Sequence, residues 1–408
     1  MQNNNIIIKR NYLLVFLIVA SSGIPLFTGS EYLNIFLFLY TFIIIIYKGI
    51  NKDPRAFLII FLFFLIEVFQ HFLHGSYSYR TSVGTIIKLT AAYFIVKLVR
   101  EKFISYYINI LYVFSLISFL FYSLSFVPGF TDFIISQIAP YFESPFIESN
   151  AFYTPSPSII VYTFDPIAIT EYRNSGPFWE PGAFAVYLIF ALLFNVIKKG
   201  NLFEKKNIIF IIALITTFST AGYIAFFILV SGYYFFNKKL SHKLMLIIFV
   251  FISISIYTTT PFLEKKVKHN MSLADETTSS RFGSAIADYS LFVESPIVGW
   301  GRGPKRYGDK EVLFFGQDQH RNNGIFILLA TYGFLGSLLY YFLFYKSLMR
   351  INRFFKFRKG FPLVFFITAL LLGFSQSLFF KPFFLCFLFL FLIINPNKKI
   401  DKSSIKFL

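Results

Sequence analysis

Two polar stretches of this sequence set charged side chains beside residues that start helices or turn the chain. The first, Arg173-Asn-Ser-Gly-Pro-Phe-Trp-Glu180-Pro-Gly182, places a guanidinium and a carboxylate around an indole. Pro181 and Gly182 then suit the opening of a helix. The plain alternative is a solvated loop in which Glu180 favours that helix N-terminus through the dipole. The second stretch opens on Thr277-Thr-Ser-Ser-Arg281 and continues with Phe282, Ala285, Ile286, Tyr289, Phe292 and Val293 at helical spacing. That spacing predicts an amphipathic helix lying on a membrane face. Arg281 falls in its first turn, where the dipole disfavours a cation by roughly 0.3–1 kcal/mol. A cation held against that preference suits an anionic ligand, or else an exposed arginine among lipid headgroups.

Further along come Gly299-Trp-Gly-Arg302-Gly and Gln317-Asp-Gln-His320-Arg-Asn-Asn323-Gly. The glycine turn lacks the strand–turn–helix setting of a phosphate-binding loop. His320 stands apart from His71, His74, His242 and His269 because it shares a face with Arg173 and Arg281; the others read as structural. Asp318 and His320 have no third ligand nearby, so no metal site is expected.

The elements that must carry these residues are membrane helices. Of 408 residues, 60 are Phe, 56% are hydrophobic and only 14% charged, against roughly 25% charged in soluble domains. Apolar runs at 12–27, 32–47, 56–73, 82–99, 103–127, 183–197, 208–219, 221–236, 244–260, 323–345, 361–377 and 382–395 approach the roughly 17–25 residues that a spanning helix needs. The expectation is therefore an all-α polytopic membrane protein of about twelve spans, forming one transmembrane domain over 1–408. The basic residues cluster in alternate short connections, which places both termini on the cytoplasmic side. The same clustering argues against nucleic acid despite a net charge of +18. The opening segment reads as a retained first span, since no small-residue cleavage site follows it. Ser219-Thr-Ala-Gly222 divides 208–236 into two short helices, each about 18–24 Å long; a single tilted helix would turn the later basic clusters outward. Two long connections, 128–182 and 259–322, then face outside. Within the spans, Glu67 and Lys88 are expected to pair, because lone charges at that depth are costly. Cys386 is the single cysteine, so no disulfide forms within the chain.

Several motifs in this order resemble the O-antigen polymerase and ligase superfamily, the Wzy class. They are Arg173…Gly176-Pro-Phe-Trp-Glu180-Pro-Gly182, Phe218-Ser-Thr-Ala-Gly222, Arg281 with Ser295-Pro-Ile-Val-Gly299-Trp-Gly301, and His320-x-Asn-Asn323-Gly before Tyr332-Gly-Phe-Leu-Gly336. The resemblance covers roughly residues 170–345 in motifs. It implies a GT-C-like glycosyltransferase of the bacterial inner membrane that uses undecaprenyl-pyrophosphate-linked oligosaccharide on the outer face, with no cofactor. Glu180-Pro181-Gly182 is closer to polymerases than to ligases. The family role would assign Arg173 and Arg281 to the diphosphate, His320 to the attacking hydroxyl's proton, and Glu180 to sharing that role or orienting an arginine. Trp179, Gly182, Arg302 and Asn323 would contact substrate. Partners would be membrane lipid and a chain-length regulator protein.

A ligase of the same superfamily is the nearest alternative. A flippase of lipid-linked oligosaccharides is another class of reading, but it would show short loops, charged central helices and an internal repeat. A partner without activity is a third. In a Cys386→Ser background, single cysteines in 128–182 and 259–322 should react with an impermeant maleimide from outside intact cells. A cysteine at 356 should not, and its labelling would overturn the two-helix reading of 208–236.

Overall fold

The computed structural model describes residues 2–75, 79–143, 156–170, 172–236, 281–302 and 322–397. These residues form α1 (Gln2–Gly23), α2 (Glu31–Tyr47), α3 (Pro54–His74), α4 (Tyr79–Val99), α5 (Phe103–Leu124), α6 (Pro181–Lys199), α7 (Lys205–Thr216), α8 (Thr220–Phe235), α9 (Arg281–Glu294), α10 (Gly324–Phe354) and α11 (Phe361–Ser375), besides shorter helical turns. Five segments are long and apolar enough to cross a membrane: Asn5–Gly23, Pro54–His74, Arg80–Leu124, Pro181–Lys199 and Gly324–Phe354. Shorter apolar helices cover Glu31–Tyr47, Thr220–Phe235 and Phe361–Ser375. The architecture is that of an all-α membrane protein, and among the described residues the full-length spans do not reach the twelve expected from the sequence. The reasons are local. The expected span 244–260 lies outside the described residues, and α7 has only 12 residues. The expected span 382–395 is no continuous helix: it runs through Pro382–Leu385, a 3-10 turn at Cys386–Leu388 and Leu390–Ile393.

α6 is the axis of the bundle, with every residue from 183 to 197 buried. A Tyr107 hydroxyl donates to the Tyr187 carbonyl at 2.8 Å, and the Tyr187 hydroxyl donates to Ser22 O at 3.1 Å. The broken C-terminal segment packs beside α6, with Pro382–Leu390 almost wholly enclosed. Irregular backbone at such depth requires internal hydrogen-bond partners. Ser22 Oγ accepts from the Phe383 amide at 2.7 Å, Ser347 Oγ accepts from the Phe391 amide at 3.0 Å, and Tyr340 donates to Phe384 O at 3.3 Å. Outward faces carry Leu39, Ile43, Phe61, Phe69, Leu338 and Phe342 exposed, as lipid-facing surfaces do.

The break within 208–236 falls where the sequence placed it. α7 ends at Thr216, Phe218 turns with φ 45°, and Ser219 Oγ caps α8 by accepting from the Gly222 amide at 3.2 Å. In the first long loop, β1 (Ser158–Ile159) and β2 (Tyr162–Thr163) pair antiparallel. Ile134, Ile159, Tyr162 and Phe164 form a small hydrophobic cluster of their own against Phe121 and Tyr122.

α9 forms where the spacing predicted, but its apolar face points away from the protein. Ser284, Ala285, Ala287, Asp288 and Leu291 are buried against α10, while Ile286, Tyr289 and Val293 are exposed. The chain after α9 then crosses a break in α10. Gly333 there is non-helical, at φ 60° and ψ −164°. Trp300 and Gly301 amides donate to Ala330 O and Thr331 O at 2.8 and 2.9 Å. The Phe334 and Leu335 amides donate in turn to Pro296 O and Ile297 O at 2.7 and 3.0 Å. A Cβ on Gly333 would lie 2.4 Å from the Ile297 carbonyl, and one on Gly299 would lie 2.5 Å from Gly333 N. Two glycines thus let two backbones touch.

Gly333→Ala and Gly299→Ala should each destabilise the protein by at least about 2 kcal/mol, since a left-handed non-glycine residue alone costs about 1–3 kcal/mol. Thermal unfolding in detergent would show it. Gly84→Ala, a position in α4 with open space around it, should leave the midpoint unchanged or slightly raised.

Candidate active site

Of the sequence-predicted residues that the structure describes, Glu180, Gly182, Arg281 and Asn323 lie where α6, α9 and α10 begin and α11 ends. Arg173 sits on the turn between α7 and α8, and Arg302 lines a cavity with Lys88. Glu180 is the N-cap residue of α6, with extended backbone and no capping hydrogen bond from its side chain. Its Oε1 instead accepts from Gln376 Nε2 and lies 3.8 Å from Arg281 Nη2. Gly182 makes room for this contact: a Cβ there would meet Gln376 Nε2 at 3.0 Å and Glu180 Oε1 at 3.1 Å. Gln376 is itself wedged, since a Cβ on Gly324 would stand 2.5 Å from its carbonyl. Glu180 is therefore held by a neutral donor and a cation rather than spent on its helix.

Arg281 is three-quarters enclosed, and its Nη1 is buried with no hydrogen-bond partner among the described residues. Burial draws this guanidinium below its ordinary value, and the Glu180 charge opposes that shift. Arg173 is held on the turn between α7 and α8. Its Nε donates to Thr217 O at 3.1 Å, while Asn174 Nδ2 donates to Thr216 Oγ1 at 3.0 Å and Ser118 Oγ at 3.1 Å. These bonds lock the first motif onto the turn between α7 and α8. Asp165 completes the row. Burial pushes its carboxyl up, its bonds to the Ile167 and Ala168 amides pull it down, and it feels both Glu180 and Arg173.

Beyond Trp179 the same region turns basic. Lys381 Nζ stands 4.7 Å above the Trp179 ring, and the Arg302 guanidinium lies 3.9 Å from the Phe380 centroid. Lys88 and Arg302 line one cavity with Phe63, Thr85, Tyr332 and Phe380. Asn323 is fully buried as the N-cap of α10, its Oδ1 accepting from the Ile325 and Phe326 amides at 3.1 and 3.2 Å. Its Nδ2 is left without a partner.

The Glu67–Lys88 pair expected from sequence is not formed. Glu67 faces α10 and accepts from the Tyr332 hydroxyl at 3.0 Å, whereas Lys88 faces the cavity with Arg302. A tyrosine from a distant span meets Oε1 instead, and Oε2 is buried with no hydrogen-bond partner among the described residues. His320, His242 and His269 lie outside the described residues. His74 has the structural role expected of it, stacking on Trp300 at 4.1 Å with Nε2 3.1 Å from Ser295 Oγ. Among the described residues no three His, Cys, Asp or Glu side chains converge as metal ligands would.

Sequence reasoning passed over Gln70, Asp165, Gln376 and Lys381. Gln70 Nε2 donates to Val298 O and, at 2.7 Å, to Thr331 O, so it ties α3 to the crossing at Gly333. A lone glutamine inside an apolar helix was the available signal for it.

A family model described as O-antigen ligase matches residues 207–341. The segment runs from α7 into α10 and includes Arg281, Arg302, Asn323 and Gly333. It is a domain of the O-antigen polymerase and ligase superfamily. No curated protein matches the chain significantly.

Tyr332→Phe should lower stability by about 1–3 kcal/mol, the cost of a buried acceptor left without its donor. Lys88→Met should not. Thermal midpoints of both single variants and of Glu67→Gln/Lys88→Met would decide it: coupling between Glu67 and Lys88 beyond additivity would restore the direct pair.

Proposed function

We propose that this chain is a GT-C-like polymerase of lipid-linked oligosaccharide repeat units for a surface polysaccharide, acting on the outer face of the bacterial inner membrane. The growing glycan would pass from undecaprenyl pyrophosphate to a sugar hydroxyl of a new lipid-linked unit. The observation that carries this reading is Arg281, inside the O-antigen ligase match, held beside Glu180 with one guanidinium nitrogen buried and unpartnered. Cleaving a glycosyl–pyrophosphate bond builds negative charge on the diphosphate, and such a preplaced guanidinium stabilises it. Arg173, the guanidinium of the first motif, would share the task. Glu180 keeps Oε2 clear of the Gln376 and Arg281 contacts, so it can orient an arginine or take the hydroxyl's proton. His320 is the other base in this scheme, its ordinary pKa near 6.5 suiting proton transfer at neutral pH. Trp179 offers a face for a sugar, and Asn323 Nδ2 a donor. Both termini would be cytoplasmic, and a chain-length regulator would act alongside.

A ligase, with a lipopolysaccharide core sugar as acceptor, is the second reading, because the matched family is described by that activity. Deleting the gene discriminates them. A polymerase mutant leaves single repeat units on the final acceptor, whereas a ligase mutant accumulates long lipid-linked chains and loses surface polymer.

Arg281→Ala and Arg173→Ala should each cut polymer formation on the order of 100- to 1000-fold with the protein still in the membrane. Lysine at either position should rescue little, since a point charge lacks the bidentate fork. His320→Ala should stop transfer but leave lipid-linked substrate bound. Purified protein should work in EDTA. Near-normal chain length with His320→Ala, together with inhibition by the chelator, would overturn this mechanism.

A further inference from the structure

The cavity between α4, α10 and the C-terminal segment gathers positive charge, with no carboxylate among its described lining residues. Lys88 and Arg302 both line it and repel each other. Lys381, which follows the lining residue Phe380, also feels the charge of Lys88. Among the described residues no carboxylate lies within 4.0 Å of any of the three cations. Glu67 meets the cavity only through the hydroxyl of Tyr332. Phe380 and Trp179 offer ring faces to Arg302 and Lys381, which offset part of the cost of burying them. Charges inside a helical bundle are ordinarily paired. Among the described residues these three have no carboxylate in contact, and Glu31, which acts on Lys88 from farther off, is itself bridged to Arg80 at 2.9 Å.

We propose that Lys88, Arg302 and Lys381 form a seat for the phosphate of a membrane-embedded lipid phosphate ester, and that its occupant is the lipid-side phosphate of the diphosphate carrier. The identity of the carrier rests on the proposed function; the anion seat rests on the cluster itself. The cavity has about 20 Å³ of water-accessible space, enough for roughly one water. A phosphate therefore sits at its mouth, where the long lysine stems can swing to meet it. The seat uses other cations than the Arg281–Glu180 pair, whose guanidinium already has a carboxylate beside it. The chemistry divides accordingly. Guanidinium groups beside Glu180 meet charge that develops as the glycosidic bond breaks, while ammonium groups hold a phosphate whose charge stays the same throughout. Binding that is equal in ground and transition states changes KM rather than kcat.

The chain has two tryptophans, so Trp300→Phe leaves Trp179, under Lys381, as the sole indole reporter. The full chain in phosphatidylcholine nanodiscs would be titrated with undecaprenyl diphosphate, undecaprenol and phosphatidylglycerol while Trp179 emission is followed. Undecaprenyl diphosphate should bind and the other two should not. Lys88→Met and Lys381→Met should each weaken binding about tenfold, as loss of one charged contact does. In transfer assays they should raise KM with kcat nearly unchanged, and Lys88→Arg should retain binding. Unchanged affinity in both methionine variants would overturn the seat. Equal, lysine-dependent binding of phosphatidylglycerol would overturn the carrier assignment. Lysine-dependent carrier binding by a chain that makes no polymer would support the seat while overturning the polymerase reading.

Discussion

Backbone amides and carbonyls inside a lipid-exposed bundle have no water to bond to, so each break in a helix must be closed by other protein groups. This chain breaks helices repeatedly, and the partners at each break explain much of its packing. The carbonyls freed near Gly333 accept from Trp300, Gly301 and Gln70. The C-terminal segment is closed by Ser22, Ser347 and Tyr340. The turn after α7 is closed by Arg173 and Asn174. In each case a partner comes from a segment far away in sequence, which ties the helices together at fixed points as well as by apolar contact.

Those closures also aim the charged residues. Arg302 follows directly on the strand that crosses Gly333, so the crossing sets where its guanidinium enters the cavity. Arg173 is fixed on the turn after α7 because it caps the carbonyl of Thr217, and from there its charge reaches Asp165. Gln376 ends α11 in extended backbone, pressed by Gly324, and from there its amide meets Glu180. Glycine serves the same purpose at Gly182, Gly299 and Gly333: each absent side chain lets a polar contact or a backbone pass. The sites are built by helix ends and helix breaks, which is where backbone and side-chain polar groups can be exposed to a ligand without leaving an orphan.

Much of this was legible in the sequence. Apolar runs placed most helices, Ser219–Gly222 marked the break before α8, and the spacing after Arg281 marked α9. Glu180 and Arg281 were named from their motifs and are found together. What stayed hidden depended on three-dimensional neighbours. Glu67 was matched with Lys88 because both are charges at similar depth on adjacent spans. A hydroxyl from α10 meets one of its oxygens instead, and hydroxyl partners leave no charge pattern to read. The run 382–395 looked like a span because hydropathy does not register helix breaks, and its serine and tyrosine partners lie on other helices. The apolar face of α9 was read correctly, although the side that packs on α10 is the small and polar one. His320 remains a reading from sequence, outside the described residues.

The contributions to the two charge clusters also differ in where they lie along the chain. Arg281, Arg302 and Asn323 fall inside the O-antigen ligase match at 207–341. Glu180 and Lys88 come before it, and Gln376, Phe380 and Lys381 come after it. The matched segment thus supplies guanidinium groups and the helix break that aims one of them. The carboxylate, its amide partner and both ammonium groups are brought by flanking helices that pack against the segment. A guanidinium suits any diphosphate, so the matched segment by itself carries general chemistry for that leaving group. Under the proposed function, selectivity for a lipid-linked substrate would reside where charge type, ring faces and cavity shape are set, and those are set by α4, the start of α6 and the broken C-terminal segment.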